Sequence, residues 1–184
     1  GYDLIKHVPQ YIQTLLGNKA YFEDYLNAFF RGICGWTCCM IIRRDVLIET
    51  GLFCTDLPKA NDTDMWLRIV YRYPQIGFVA EPLAIYHVEA GDCLSIRPMM
   101  FDYLRRFLQR HLNLAQNSKR SEMFIPCAVK MLRAWIRSAF FDDRVYDIRK
   151  ALRMFDTLLS KRYKRTVYVM TILPGLTKHF FQFL

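Results

Sequence analysis

The sequence predicts an α+β fold in which helices predominate and only a few short strands occur. The chain has 184 residues, of which 53% are hydrophobic and 15% aromatic, so it can bury a sizeable core and is not expected to be disordered. Its second half repeats apolar residues at helical spacing. The first half contains short apolar runs bounded by Gly, Pro or Arg, which are typical of strands.

The first predicted elements are a helix, a strand and a second, shorter helix. Residues 9–31 have helical periodicity, which Gly17 and Asn18 divide into two parts. Residues 35–42 form a short apolar run between Gly and Arg, which predicts a buried strand. Residues 44–50 predict a short helix that Gly51 ends.

The next helix is predicted to begin at Asn61, which is a good N-cap residue. Asp64 follows three residues later, in the position of a capping-box acid. The helix is expected to reach about residue 73 and to end at Pro74. Residues 76–86 are rich in β-formers, but Pro82 limits them to short or edge strands.

Helices are predicted for most of the chain after Pro98, because apolar residues there form three stripes at helical spacing. The stripes are Tyr103, Leu104, Phe107, Leu108, His111 and Leu112; then Ile125, Val129, Leu132, Ile136 and Phe140; then Val145, Ile148, Leu152, Phe155 and Leu159.

Charge is divided unevenly along the chain. Residues 1–96 contain 8 basic and 11 acidic side chains, a net charge of −3, whereas residues 97–184 contain 18 and 6, a net charge of +12. This abrupt change in net charge predicts a boundary near Arg97 and Pro98, with residues 1–97 as one part and residues 98–184 as a basic helical extension. The extension is expected to face something anionic, such as phospholipid head groups, lipid diphosphates or nucleic acid; ordinary helical packing with a basic side facing solvent is the alternative.

Six cysteines are present, without a C-x-x-C pair or a His partner at zinc-ligand spacing, so a structural zinc site is not expected. They are predicted to be reduced and mostly buried thiols in a cytosolic protein, with Cys38 and Cys39 on opposite faces of the strand over 35–42.

The chain begins with Gly1 instead of Met, which suggests a processed piece, and it shows no signal-peptide pattern. Residues 167–184 are apolar but too short and too interrupted for a transmembrane helix.

One group of motifs resembles a known family. In order these are Arg43-Arg44, Gly51-Leu52-Phe53, Asn61-Asp62-Thr63-Asp64-Met65-Trp66-Leu67-Arg68 and Tyr86-His87. Together they resemble the acceptor half of an inverting family 2 glycosyltransferase of the bacterial polysaccharide type. The resemblance covers about residues 36–96, roughly a third of the chain. It implies a partial GT-A fold whose nucleotide-binding half precedes this segment.

The resemblance also implies residue roles. It places the catalytic base on Asp62, which would take a proton from an acceptor hydroxyl; on spacing alone, helix capping is the other interpretation. Residues that would shape the acceptor site are Asn61, Asp64, Trp66 and Trp36, with core packing as the alternative for both tryptophans. His87 and Glu89 are further candidates for a phosphate or metal contact; a hydrogen-bonded, partly buried ring is the alternative for His87.

The sequence departs from the family pattern in three places. Asn61 stands where the family has Glu, and Tyr86-His87-Val88-Glu89 replaces its Tyr-Arg-x-His ending. The metal-binding Asp-x-Asp that follows a strand is missing, because Asp62-Thr63-Asp64 opens a helix instead. The intact enzyme is therefore expected to hold Mg²⁺ or Mn²⁺ mostly through residues outside this chain, and the chain alone is not expected to transfer sugar.

The resulting hypothesis is a transferase that passes a sugar from a nucleotide diphosphate to a saccharide or lipid-linked saccharide, with inversion. It would be cytoplasmic, with possible peripheral contact with anionic lipid on the inner face of the cell membrane. Nucleic acid is not expected as a partner, since no helix-turn-helix signature is present. The alternative is a non-enzymatic basic helical module that binds anionic membrane or a partner protein; a degenerate transferase is a third interpretation.

Overall fold

Helices form most of the structure, as the sequence predicts. The computed structural model describes residues 8–81, 83–84, 97–118 and 121–172. In that part of the chain the elements are, in order, α1 (Gln10–Leu16), β1 (Tyr21–Phe22), α2 (Tyr25–Phe30), a 3₁₀ turn (Thr37–Cys39), α3 (Arg44–Thr50), α4 (Asn61–Arg72), β2 (Ile76–Gly77), α5 (Phe101–Asn117), α6 (Ser121–Phe141), α7 (Val145–Met154), a 3₁₀ turn (Asp156–Leu158) and α8 (Lys161–Met170).

The helix predicted over 9–31 is two helices separated by a short strand. Gly17 ends α1 with a φ of 59°, a left-handed conformation that glycine adopts without strain. Strand β1 then pairs antiparallel with β2, with Tyr21 opposite Gly77. Asp24 starts α2, since its carboxylate accepts a hydrogen bond from the backbone N–H of Leu26 at 2.9 Å.

The strand predicted over 35–42 is wrong. This segment contains one 3₁₀ turn, and side chains from elsewhere bind the backbone of Gly35 at its start. The hydroxyl of Tyr25 accepts from the N–H of Gly35 at 2.7 Å, and the indole of Trp66 donates to the carbonyl of Gly35 at 2.8 Å. The segment is therefore held against α2 and α4 rather than in a sheet.

The prediction that the thiols are mostly buried is also wrong for this segment. Cys34, Cys38 and Cys39 are exposed, because a 3₁₀ turn at the surface does not cover its side chains as a buried strand would. The sulfurs of Cys38 and Cys39 lie 3.7 Å apart. Cys127 on α6 is buried, as predicted, and Cys93 lies outside the described residues.

Helices α3 and α4 occur where the sequence predicts them, and α4 is central to the packing. Gly51 ends α3 with a φ of 92°. One side of α4 packs towards α3 through Met65, Trp66 and Ile69, and another side packs into the main core through Leu67, Val70 and Tyr71. Burial on two sides fixes the orientation of this helix about its axis.

The charge boundary near Arg97 and Pro98 does not separate two cores. One continuous cluster of buried side chains includes residues of α2, α4, α5, α6, α7 and α8. A polar contact crosses the same boundary, because Lys130 donates to the carbonyl of Phe30 at 2.7 Å. The basic helical extension therefore packs directly on the preceding part.

Within the described ranges no helix is long and apolar enough to cross a membrane. Among the described residues of the strand predicted over 76–86, only β2 is strand. Residues 82 and 85–86 of that segment lie outside the described ranges, as do residues 173–184 of the apolar C-terminal segment.

Candidate functional site

The candidate site lies at the start of α4. The chain enters this helix through Ala60, whose φ of 64° is left-handed and uncommon for a residue with a Cβ. Asn61 is the first helical residue rather than the N-cap, so the predicted capping role is wrong by one position. Its exposed side-chain oxygen accepts a hydrogen bond from the N–H of Asp62 at 2.8 Å.

Asp62 is half-buried in the first turn. Its Oδ1 accepts hydrogen bonds from the N–H of Thr63 at 2.6 Å and from the Thr63 hydroxyl at 3.3 Å. Within the described residues its other oxygen, Oδ2, has no hydrogen-bond partner. This carboxylate is therefore oriented through one oxygen and can accept a proton through the other.

Cys34 lies beside Asp62 and Thr63. Its side chain reaches the surface but is crowded by surrounding protein, and this partial desolvation raises the pKa of the thiol above its ordinary value. A hydrogen bond with Thr63 opposes the rise, and the negative charge of Asp62 adds to it. Cys34 is thus a neutral thiol next to Asp62.

Asp64 has a different environment from Asp62, although only Thr63 separates them. It is 0% exposed, and its two oxygens accept from three cationic or polar side chains. Arg68 Nε lies 2.9 Å from Oδ2, while Arg110 Nη1 and His111 Nε2 each lie 3.1 Å from Oδ1. Tyr71 extends this group, with its hydroxyl 3.2 Å from His111 Nδ1. We call these five residues the Asp64 cluster.

The Asp64 cluster connects α4 to α5 and to the loop after α3. Arg68 also donates to the carbonyls of Thr50 and Leu52, at 2.5 Å each. Arg110 also binds both oxygens of Asp56, at 2.9 and 2.7 Å. Since every buried side-chain nitrogen and oxygen in the described residues has a partner, the cluster is fully hydrogen-bonded.

The electrostatics of the Asp64 cluster favour an ionised acid and a neutral imidazole. Burial opposes ionisation of Asp64, but the hydrogen bond from His111 and the charges of Arg68 and Arg110 hold its pKa well below the ordinary value. Burial lowers the pKa of His111, and the two arginines lower it further, against the opposing effect of Asp64. A neutral His111 that donates from Nε2 can accept the Tyr71 hydroxyl at Nδ1, which satisfies both nitrogens.

The structure therefore does not place Asp64 at an acceptor surface or in a capping box. A carboxylate that faces two guanidinium groups also does not bind a divalent cation, so Asp62-Thr63-Asp64 does not fit a metal site. Among the described residues no group of three or more potential metal-ligating side chains occurs. His87 and Glu89 lie outside those residues.

The two candidate tryptophans have opposite environments. Trp66 is 4% exposed, bonded to the carbonyl of Gly35, and in edge contact with Phe53 at a centroid distance of 5.7 Å. A sugar ring cannot stack on a side chain this deeply buried, so core packing is the interpretation that fits Trp66. Trp36 is 41% exposed and follows Cys34 and Gly35 on the segment beside the start of α4.

Sequence reasoning missed Arg110 and His111 as partners of this site. The available signal was His111, a polar residue in the apolar stripe of α5, which needs a buried partner. Arg68, on the same helix as Asp64, binds both a carboxylate, that of Asp64, and a carbonyl, that of Thr50.

Comparisons of the chain with protein-family models, with curated proteins and with solved structures found no match.

Proposed function

We propose that this chain is the acceptor part of an inverting family 2 glycosyltransferase with a GT-A fold, and that Asp62 is its general base. The observation that carries the proposal is the contrast between two neighbouring acids. Asp64 is buried, and both of its oxygens accept hydrogen bonds from other members of the Asp64 cluster. Asp62 remains accessible, and one of its oxygens accepts no hydrogen bond from the described residues.

The proposed reaction moves a sugar from a nucleotide-diphosphate donor to a hydroxyl of a saccharide or lipid-linked saccharide. Asp62 accepts the hydroxyl proton while the hydroxyl oxygen attacks the anomeric carbon. The bond to the diphosphate breaks, and the diphosphate leaves with the bonding electrons. Because the hydroxyl oxygen attacks from the face opposite the diphosphate, the anomeric centre is inverted. A positioned base of this kind contributes about 10²–10⁴-fold to a rate.

The Asp64 cluster supports this role through geometry. A general base must be held within hydrogen-bond reach of its proton, and small displacements are costly. The cluster fixes the first turns of α4 from the core side, through Arg68 on the same helix and Arg110 and His111 on α5. Asp64 and Trp66 are thus positioning residues in the proposal, and they do not touch the acceptor.

Acceptor contact would come from accessible groups. Asn61 is exposed and adjacent to Asp62, so its amide can bond to a sugar hydroxyl. Trp36 presents an exposed indole on the neighbouring segment, and apolar sugar faces pack on such rings.

A divalent metal, Mg²⁺ or Mn²⁺, would neutralise the leaving diphosphate in the intact enzyme. Because Asp64 is already paired with two arginines, the described residues do not form that metal site, and its ligands would lie mostly outside this chain. The proposed location of the reaction is the cytoplasmic face of the cell membrane, where lipid-linked acceptors are accessible.

The test is the change Asp62→Asn in the intact enzyme that contains this chain, assayed with labelled nucleotide sugars. We expect kcat to fall about 10²–10⁴-fold, with unchanged binding of the nucleotide sugar. Asp45→Asn is the matched control, because Asp45 is an exposed first-turn acid of the neighbouring helix α3, and its loss should leave kcat within about twofold. Full activity of the Asp62→Asn enzyme would contradict the assignment, and an absence of any transferase activity in the unmodified protein would favour the non-enzymatic module.

A further inference from the structure

Helix α8 has an exposed face with two chemically different ends. Val167 and Thr171 are buried on its other side, and the Ser160 hydroxyl starts the helix by accepting from the N–H of Tyr163 at 3.3 Å. The outward residues are Lys161, Arg162, Arg165, Tyr168 and Val169 of the helix and Ile172 in the turn after it, which together we call the α8 face.

The first end of the α8 face is cationic. Lys161, Arg162 and Arg165 are exposed and form no ion pair with any described residue, and α8 contains no acid. By contrast, Lys164 on the inner side pairs with Asp156. Lys161 and Arg162 lie in the first turn of the helix, where the dipole disfavours cations, so the stability of α8 does not explain their presence.

The second end of the α8 face is apolar and rigidly held. Tyr168, Val169 and Ile172 are 50%, 61% and 57% exposed. Arg149 of α7 fixes this end, because its guanidinium donates to the hydroxyl and the carbonyl of Thr171 at 3.0 and 3.1 Å. The apolar side chains are therefore held outward by the fold.

The sequence that follows this apolar end has the same chemistry. Residues 173–184 contain Leu173, Leu176, Phe180, Phe181, Phe183 and Leu184, and they contain no acid. Exposed apolar side chains beside cations that form no ion pair with any described residue are the combination that binds anionic phospholipid, since the cations contact head groups while the apolar side chains enter the acyl boundary. Nucleic acid would use the cations but would leave the aliphatic side chains in water.

We propose that the α8 face is a membrane-binding surface that recognises bilayers containing anionic phospholipid. Helix α8 lies along the membrane surface, with Lys161, Arg162 and Arg165 at the lipid phosphates and with Val169 and Ile172 inserted below them. This inference stands apart from the transferase proposal, because none of these residues belongs to the site at α4.

The test is co-sedimentation of the 184-residue chain with phosphatidylcholine vesicles made with and without phosphatidylserine. The change Lys161→Gln/Arg162→Gln/Arg165→Gln removes the cationic end. Each membrane-proximal cation contributes about fivefold to partitioning, so this variant should bind anionic vesicles on the order of 100-fold more weakly. The matched control is Lys19→Gln/Arg31→Gln/Arg44→Gln, which removes the same charge from exposed positions elsewhere and should change binding less than about threefold.

A second variant tests the apolar end. Val169→Ser/Ile172→Ser keeps all cations, so it should weaken binding without altering its salt dependence. All the substituted positions are exposed, and circular dichroism checks that the variants keep their helix content.

Three outcomes would overturn the proposal. They are no binding of the unmodified chain to anionic vesicles, an equal loss in the control variant, or binding of single-stranded RNA through the same three cations without vesicle binding.

Discussion

The change Asp64→Asn should destabilise the protein far more than Asp62→Asn, although both remove one carboxylate from the same turn of α4. Asp64 is 0% exposed, and its oxygens accept from Arg68, Arg110 and His111. An asparagine of the same shape keeps one acceptor oxygen and turns an NH₂ group towards the remaining donors. Breaking a buried ion pair by removing one partner costs about 3–5 kcal/mol.

The lower end of that range applies here. Arg110 is partly solvated, with 29% of its side chain exposed, and it keeps Asp56 as a partner. Arg68 keeps the carbonyls of Thr50 and Leu52. A loss of about 3 kcal/mol corresponds to a fall in Tm of about 6–12 °C for a domain of this size.

The assay is urea and thermal unfolding followed by circular dichroism, with Asp62→Asn as the matched control. The carboxylate of Asp62 is partly exposed and is hydrogen-bonded only to Thr63 among the described residues, so its replacement should cost no more than about 1 kcal/mol. If Asp64→Asn also costs less than about 1 kcal/mol, Asp64 acts only as a first-turn acid and the cluster contributes no stability. Equal losses in the two variants would refute the reasoning in the same way.

Three further predictions concern other groups. The folded protein should lose stability as the pH falls below about 6.5, by at most about 1.4 kcal/mol per pH unit, because the lowered pKa of buried His111 lets the unfolded chain bind a proton first. Urea unfolding at several pH values measures this loss, and the free energy of unfolding should depend less steeply on pH in His111→Gln. Trp66→Phe should lower the free energy of unfolding by about 1–3 kcal/mol, because it leaves the carbonyl of Gly35 without its donor at 2.8 Å. A thiol-specific reagent should label Cys38 within the native protein and Cys127 only after unfolding, as peptide mass spectrometry can determine.

Each of these three predictions has a result that would contradict it. An unchanged pH slope in His111→Gln would show that another group titrates. A stability of Trp66→Phe within about 0.5 kcal/mol of the unmodified protein would show that water replaces the indole donor. Rapid native labelling of Cys127 would show that α6 opens locally.

Local sequence signals located several elements well. Gly51 after an apolar-periodic segment predicted the end of α3, and the period of Leu104, Phe107 and Leu108 predicted the buried side of α5. Periodicity was less decisive where two apolar residues are adjacent. On α6 the predicted apolar stripe begins at Ile125, but the buried residue at the start of the helix is Phe124, and Ile125 is 42% exposed.

The features that sequence reasoning missed all depend on distant contacts. An apolar run between Gly and Arg resembles a strand locally, but Tyr25 and Trp66 bind the backbone of Gly35 and prevent sheet pairing there. The interpretation of Asp64 as a capping acid failed for a similar reason. Its partners Arg110 and His111 lie 46 and 47 positions away, which no local spacing rule can connect.

The Asp64 cluster has a consequence for how the two differently charged parts of the chain depend on each other. If the chain were cleaved between residues 97 and 98, the first fragment would keep the buried Asp64 carboxylate with Arg68, and the second would keep Arg110 and His111, which bind its other oxygen. Neither fragment could complete its interior alone. The first fragment would contain 9 basic and 11 acidic side chains, a net charge of −2, and the second 17 and 6, a net charge of +11, so their opposite charges would favour reassociation. The steepest change in charge along the sequence therefore falls inside a single cooperative folding unit, where it strengthens the attachment of one part to the other.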